Sequence, residues 1–296
     1  MISRTTNQTM ARTAQQNLQA SMSRMAKLQE QVTSSSAIAR PSDDPTGTAN
    51  AMKVRAEIRA NTQHAANVSD AEGWLSVTDG ALANTNKILG RVKDLALSAS
   101  TGTMSPTDRQ AIATELEGLK TDLLREANTT YLGRTVFAGT SDTGKAFTED
   151  PAGTYNYSGS GTPTTRRLDS STLMRVDTDG EAVFGKGENS VFRLVDDLVS
   201  DLKANKDSTG YLTKIDAAAN TVLREHSALG VRHAATLKAK DTLADQSISL
   251  ETRRSGIEDL DTAKVILDMK LQEVAYQSAL AVTARALQPT LMDFLR

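Results

Sequence analysis

The sequence predicts a mainly α protein, an elongated folded-back rod of long helices with paired N- and C-terminal coiled-coil helices and a small β-rich insert. Three observations predict it. Apolar residues recur at three- and four-residue spacing through long stretches at both ends of the chain. That pattern lapses only between about residues 139 and 187, where Gly, Thr, Ser and Asp accumulate. Aromatic residues make up 4% of the chain, which suits helices with small-residue seams better than a thick globular core.

The first element is a heptad over residues 8–35, with Ala11, Leu18, Met25 and Val32 at one core position and Ala14, Ser21 and Leu28 at the other. It ends at Ala39-Arg40-Pro41-Ser42-Asp43-Asp44-Pro45. Pro41 pushes Arg40 out of the helical region, Ser42 or an Asp can cap, and Pro45 suits a first helical turn. The segment therefore reads as a joint. Asp43 and Asp44 have no further ligands nearby that would make them a metal site or an acid/base pair.

From Val68 to Ala99 the spacing is nearly unbroken through Ala71, Leu75, Thr78, Leu82, Thr85, Leu89, Val92 and Ala96, with Trp74 beside the seam as an anchor. A turn at Thr101-Gly102-Thr103 precedes a second helix with Ser105 as N-cap, Pro106 at the first position and Asp108 three on from the cap. Its stripe is Ile112, Leu116, Leu119 and Leu123, and the two helices are expected to form an antiparallel hairpin. Within the insert, Tyr155-Asn156-Tyr157, Leu173-Met174-Arg175-Val176 and Ala182-Val183-Phe184 read as short strands. Gly159-Ser160-Gly161 lacks the strand-loop-helix context and the Lys of a phosphate cradle.

Helical spacing returns at Val191, Leu194, Val195, Leu198 and Leu202. A long seam then runs from Leu212 through Ile215, Val222, His226, Leu229, His233 and Leu243 to Ile257. His226 and His233 are too far apart for the i, i+4 chelate of zinc helices, so they read as seam residues. Gly256–Arg296 is expected to be one long terminal helix, kinked or ended near Gln288 by Pro289. At about 100° per residue, Leu260, Leu267, Leu271, Val274 and Ala281 fall on one stripe, and Val265, Met269, Tyr276, Leu280 and Leu287 fall roughly opposite. Leu291 and Phe294 follow the proline. A surface helix of a monomer carries one apolar stripe, so two imply burial in a large core or between copies of the chain. Pairing with the N-terminal heptad is expected to bury the first stripe and leave the second for other subunits. The ordering entropy of such a tail rivals the burial that one helix supplies. It is therefore expected to order only when neighbours cover both stripes.

The corresponding division is 1–40 and 256–296 as the halves of an inner coiled-coil domain, 41–138 and 188–255 as the halves of a helical rod domain, and 139–187 as a β-rich outer insert. A net charge of −2 with both signs interspersed gives no basic footprint for nucleic acid or an anionic membrane. No apolar run approaches the ~20 residues of a membrane span. The absence of cysteine removes disulfides, thiolate catalysis and cysteine zinc sites. No nucleophile elbow is present, so neither an enzyme nor a cofactor is expected.

Several of these segments resemble the bacterial flagellin family over nearly the whole chain. They are Asn17-Leu18, the stretch Leu28 to Ser36, Pro41-Ser42-Asp43-Asp44-Pro45, Leu119 to Leu124, Thr135-Val136-Phe137-Ala138-Gly139-Thr140, Ile257 to Asp261 and Leu287 to Leu295. The proline-flanked Asp pair is similar to that of the family's hook-filament junction members, whereas its filament-forming members more often carry an alanine-rich form. The resemblance implies export through the flagellar type III apparatus with an export chaperone. It further implies location in the flagellum at the hook-filament junction, and a self-assembled ring in contact with other hook-associated proteins and flagellin. The self-assembly interface expected from the helical spacing comprises Leu18, Met25, Leu28, Val32, Leu260, Leu267, Leu271, Val274, Met269, Tyr276, Leu280, Leu287, Leu291 and Phe294. A filament subunit and a cytoplasmic coiled-coil scaffold are the alternatives.

Overall fold

The computed structural model describes residues 7–100, 104–151 and 153–286. Its helices are α1 (Asn7–Ser34), α2 (Pro45–Ser100), α3 (Pro106–Ala127), α4 (Gly180–Phe184), α5 (Val191–Lys203), α6 (Thr209–Glu258) and α7 (Thr262–Ala286). Three antiparallel strand pairs lie between α3 and α4: β1 (Thr130–Tyr131) with β2 (Arg134–Thr135), β3 (Phe147–Glu149) with β4 (Tyr155–Tyr157), and β5 (Thr165–Arg167) with β6 (Leu173–Arg175). The chain divides into two compact units, one drawn from residues 61–246 and the other from 1–60 with 247–296.

In the unit of residues 61–246, every seam position predicted from Val68 to Ala99 is buried. Thr78 and Thr85 are tolerated there because each hydroxyl donates to the carbonyl four residues back, Trp74 O at 2.9 Å and Ala81 O at 2.8 Å. α6 runs antiparallel beside α2, as shown by Lys93–Asp216 at 2.6 Å, Asp79–His226 at 2.8 Å and Glu72–Lys240 at 2.7 Å in order along both helices. α3 is capped by Ser105, whose Oγ accepts from Asp108 N, with Pro106 at its first position. Arg91 on α2 pairs with Glu115 on α3. The predicted turn at Thr101-Gly102-Thr103 lies outside the described residues.

Aromatic packing holds β3 and β4. Phe147 lies 5.6 Å from Phe184 and 5.2 Å from Phe192 of α5, and Tyr155 lies 5.2 Å from Phe192, centroid to centroid. All four rings are buried within the same core as the helical seams. Trp74 is buried edge-on to Tyr131 at 5.8 Å, and Gly73 leaves the space that the Tyr131 ring occupies. The strands at Tyr155–Tyr157 and Leu173–Arg175 form as predicted. Ala182-Val183-Phe184 does not: it belongs to α4, whose first turn is capped by Asp179 Oδ1 accepting from Glu181 N at 3.0 Å. A single helical turn buries Val183 and Phe184 together, which alternating strand geometry would not.

In the other unit, α1 and α7 pack along their lengths. The heptad predicted for α1 is the face that turns inward: Ala11, Ala14, Leu18, Ser21, Met25, Leu28 and Val32 are each partly buried among exposed neighbours. The expectation of one helix from Gly256 onward is corrected. α6 ends at Glu258, and Asp259-Leu260-Asp261 separates it from α7, so Leu260 belongs to the break and not to a helical stripe. The break needs neither proline nor glycine. Ala37 N donates to Glu258 O at 2.8 Å, Ser36 bridges Asp259, and Asp261 Oδ1 caps α7 by accepting from Lys264 N at 3.0 Å.

The joint opposite this break is built by the predicted proline-flanked segment. Asp43 Oδ2 accepts from Arg40 N at 3.2 Å, Asp44 Oδ1 accepts from Gly47 N at 2.8 Å, and Pro45 opens α2. Arg55 Nε meets Glu258 Oε1 at 2.7 Å, while Arg254 reaches the same carboxylate at 3.4 Å. The hydrogen bond from Arg55 holds the Glu258 carboxyl below its ordinary range against the opposing effect of burial.

Two predictions follow from this packing. Gly133 and Gly139 both have positive φ, at 79° and 60°, but only Gly139 is crowded, since an added Cβ would meet Ser160 O at 2.5 Å and Thr162 O at 2.8 Å. Gly139→Ala is therefore expected to destabilise by more than the ~1 kcal/mol typical of the conformational cost alone, and by clearly more than Gly133→Ala, in denaturant unfolding. Because the Glu258 pKa is depressed, its ion pair stabilises above the ordinary value of 4.5 and that stabilisation disappears as pH falls through the lowered value. Glu258→Gln should thus lower thermal stability at neutral pH by about 1 kcal/mol, discounted because Arg55 is largely exposed, and the gap from the parent should close in acid.

Candidate assembly surface

The side chains that reach outward from α7 define the surface. Val265 is 9% exposed, and Asp268, Met269, Gln272, Tyr276, Ala279 and Thr283 are partly covered. Leu267, Leu271 and Val274 are 60%, 61% and 61% exposed. The predicted orientation is therefore reversed: the stripe of Val265, Met269 and Tyr276 faces α1, and the stripe of Leu267, Leu271 and Val274 is left open. Gln272, on the same inward side, donates from Nε2 to Ser21 O at 3.4 Å.

Leu280 is a second departure, 42% exposed although it was placed on the inward stripe. Paired helices follow a repeat of about 3.5 residues, so the covered positions step from Tyr276 to Ala279 and Thr283 and pass Leu280 by. Ala281 is exposed as well. Leu287, Leu291 and Phe294, and the kink expected at Pro289, lie outside the described residues. The expectation that neighbours must cover both stripes narrows accordingly, because the chain's own α1 covers one of them.

Covering Leu267, Leu271 and Val274 would yield on the order of 1 to 2 kcal/mol each, given that more than half of each side chain is open. Ile266 at 47% and Val282 at 67% widen the apolar area. The outward side of α1 offers no match, since its exposed positions are mostly polar, Arg12, Gln15, Gln16, Gln19, Arg24 and Gln29 among them. At the joint, a cleft of about 130 Å³ is lined by Ile38, Ala39, Pro41, Ala51, Met52 and the Arg55–Glu258 pair among others. Sequence reasoning missed the acid/base pairing here because Arg55 and Glu258 are 203 positions apart. The Asp261 cap was missed as well, although an Asp just before Thr262 is a residue type that starts helices.

His226 and the Lys120, Tyr155 and Asp196 trio are engaged in contacts between elements. His226 Nε2 meets Asp79 Oδ1, and His233 stands a further two turns along α6. Lys120 donates to Asp196 Oδ1 at 2.8 Å, and the Tyr155 hydroxyl donates to Asp196 Oδ2. Burial works against charge on Lys120, but its bonds to Asp196 and Tyr155 prevail and raise its pKa. Burial first, and then Asp196, raises that of Tyr155. The trio ties β4 to α3 and α5. Among the described residues no three His, Cys, Asp or Glu side chains are placed to hold a metal, and no helix is long and apolar enough to cross a membrane.

Comparison with known proteins matches both ends of this architecture. Residues 5–142 match the bacterial flagellin N-terminal helical region, and residues 212–295 match the bacterial flagellin C-terminal helical region. Flagellar hook-associated protein 3 of Salmonella typhimurium is 25% identical over 280 residues, covering 86% of this chain and 87% of that protein. The flagellar filament 30.7 kDa core protein of Treponema maltophilum is 27% identical over 269 residues, covering 87% and 86%. The crystal structure of flagellar hook-associated protein 3 from Legionella pneumophila aligns with a TM-score of 0.63 at 17% identity, over 68% of this chain and 97% of that one, a likeness of fold. With its N-terminal and C-terminal helical regions both matched, the chain belongs to the bacterial flagellin family.

Proposed function

We propose that the chain is a structural component of the bacterial flagellum that forms a junction between the hook and the flagellin filament. The observation that carries this reading is the open stripe of Leu267, Leu271 and Val274 on a terminal helix whose other side is already covered by the same chain. Such a stripe asks for neighbours, and repeated heterologous contacts of one kind close into rings or extend into filaments. The near full-length similarity to hook-associated protein 3 of Salmonella typhimurium supports the junction within the flagellum. In this reading the protein is no enzyme, and binding energy between subunits is its activity.

The assembling part comprises residues 1–40 with 256–296, the supporting helical part 41–138 with 188–255, and the insert 139–187. Leu18, Met25, Leu28 and Val32 hold the terminal pair together, while Leu267, Leu271 and Val274 meet sister copies, joined by Leu280, Leu287, Leu291 and Phe294. Pro41 to Pro45 serve as the joint from which the terminal pair springs. The partners are further copies of the chain, other hook-associated proteins and flagellin, reached after export through the type III apparatus with a chaperone.

A second reading, a filament subunit, is favoured by the similarity to the Treponema maltophilum filament core protein. Labelling the protein on intact cells separates the two. The junction reading predicts a single narrow zone at the base of each filament and filaments shed from cells that lack the protein. Label along the whole filament would overturn it in favour of the second reading.

A further inference from the structure

The β1–β2 hairpin turns at Leu132-Gly133, between the paired residues Tyr131 and Arg134. Both turn residues have positive φ, at 48° and 79°, the signature of a type I′ turn. Asn-Gly or Asp-Gly is the usual choice there, because a leucine in this conformation is strained. The other described non-glycine residues with positive φ, Ser35 and Asn205, each follow the end of a helix, where such a conformation is common. Leu132 has no such excuse of position, and it is 80% exposed, more than any other large apolar side chain described. It adds strain to the fold without adding to the core. Two residues on, Arg134 holds its guanidinium 5.9 Å from the centre of the Trp74 ring and forms no ion pair among the described residues.

A surface of the opposite kind lies where α4 and the start of α5 meet α6. It is a cleft of about 480 Å³ whose walls include Val183, Phe184, Val191, Leu194, Ala217 and Ala218. Three carboxylates also line it, Glu181, Glu188 and Asp197, against a single cation, Lys214. Glu181 is taken by Lys186 at 2.6 Å and Asp197 by Arg193 at 3.1 Å. Glu188 is only 3.4 Å from Arg193 and its side chain is 75% exposed, so most of that carboxylate is open to a further cation. Lys214 does not oppose one closely, since its ammonium lies against the Tyr211 ring, 5.4 Å from the centre.

We propose that the Leu132 tip of one copy enters this cleft on a second copy, with Arg134 beside Glu188. The contact uses neither terminal helix, and it rests on the reading above that copies of the chain assemble. Its chemistry matches on both counts: an exposed leucine meets apolar walls, and an arginine without an ion pair meets the most open carboxylate of the rim. Knob and cleft are different patches of one chain, so the contact is heterologous, and repeating it closes a ring or extends a row. One leucine and one charge pair bury far less than a stable dimer needs. The free chain is therefore expected to stay monomeric, and the tip to seat only where other interfaces hold copies side by side. The strain at Leu132 is present with or without a neighbour, which separates fold from contact: Leu132→Asn should relieve the first and lose the second.

Photocross-linking in intact flagella tests this, with p-benzoylphenylalanine placed at Asn189 or, separately, at Ala217, both exposed residues of the cleft. Irradiation should give a cross-linked dimer in which the tryptic peptide Glu126–Arg134 of a second copy is joined to the cleft. In chains that also carry Leu132→Asn the yield of that dimer should fall roughly tenfold or more, as expected for losing a buried leucine. The purified Leu132→Asn chain should at the same time unfold at higher denaturant than the parent. The proposal is overturned if neither position gives a dimer, if the joined peptide lies elsewhere or comes from the same copy, or if Leu132→Asn cross-links as well as the parent. It is equally overturned if Leu132→Asn unfolds at lower denaturant. Where the protein lies is scored on the same cells by labelling, so a label spread along the filament counts against the junction, and a missing hairpin peptide counts against this contact.

Discussion

Helix α7 carries apolar side chains on two sides, and α1 can cover only one. Everything distinctive about the unit built from the chain ends follows from that mismatch. The covered side is the one with Val265, Met269 and Tyr276, and Gln272 on that side reaches Ser21 O. The other side keeps Leu267, Leu271 and Val274 in solvent, where three large apolar residues at helical spacing are a standing drive towards association.

The joint makes this arrangement possible without a rigid covalent constraint. Asp43 satisfies Arg40 N in the turn after α1, Asp44 satisfies Gly47 N in the first turn of α2, and Pro45 starts α2 where a missing donor costs nothing. On the opposing segment, the carbonyl of Glu258 is taken by Ala37 N while its carboxylate is taken by Arg55 and Arg254. One residue thereby links the end of α6 to both the segment after α1 and the start of α2. The turn and the break are held side by side by polar contacts, so the two terminal helices leave from a common point in the same direction.

Much of this was legible from spacing alone, because burial and periodicity report the same thing when a helix has one apolar face. The α1 heptad, the α2 seam, the Ser105 cap and the strands at Tyr155–Tyr157 and Leu173–Arg175 were all recovered for that reason. The stripe orientation was not, because a helix with two comparable stripes does not say which one its partner takes. The covered side is known only from the burial of Val265, Met269 and Tyr276 beside α1. The break at Asp259–Asp261 was missed because it is imposed by pairing with Ser36 and Ala37, distant in sequence, and not by a local breaker. Ala182-Val183-Phe184 was misread because three apolar residues in a row suit a buried strand and a buried helical turn equally, and Asp179 decided between them.

The account stands on the open side of α7 being the surface that sister copies occupy. A chain with Leu271→Cys, which has no other thiol, allows the most direct measurement: its rate of reaction with a maleimide in the unassembled protein and in intact flagella. The account predicts ready reaction in the free chain and strong protection after assembly. Equal reactivity in the two states, in cells that swim normally, would contradict it.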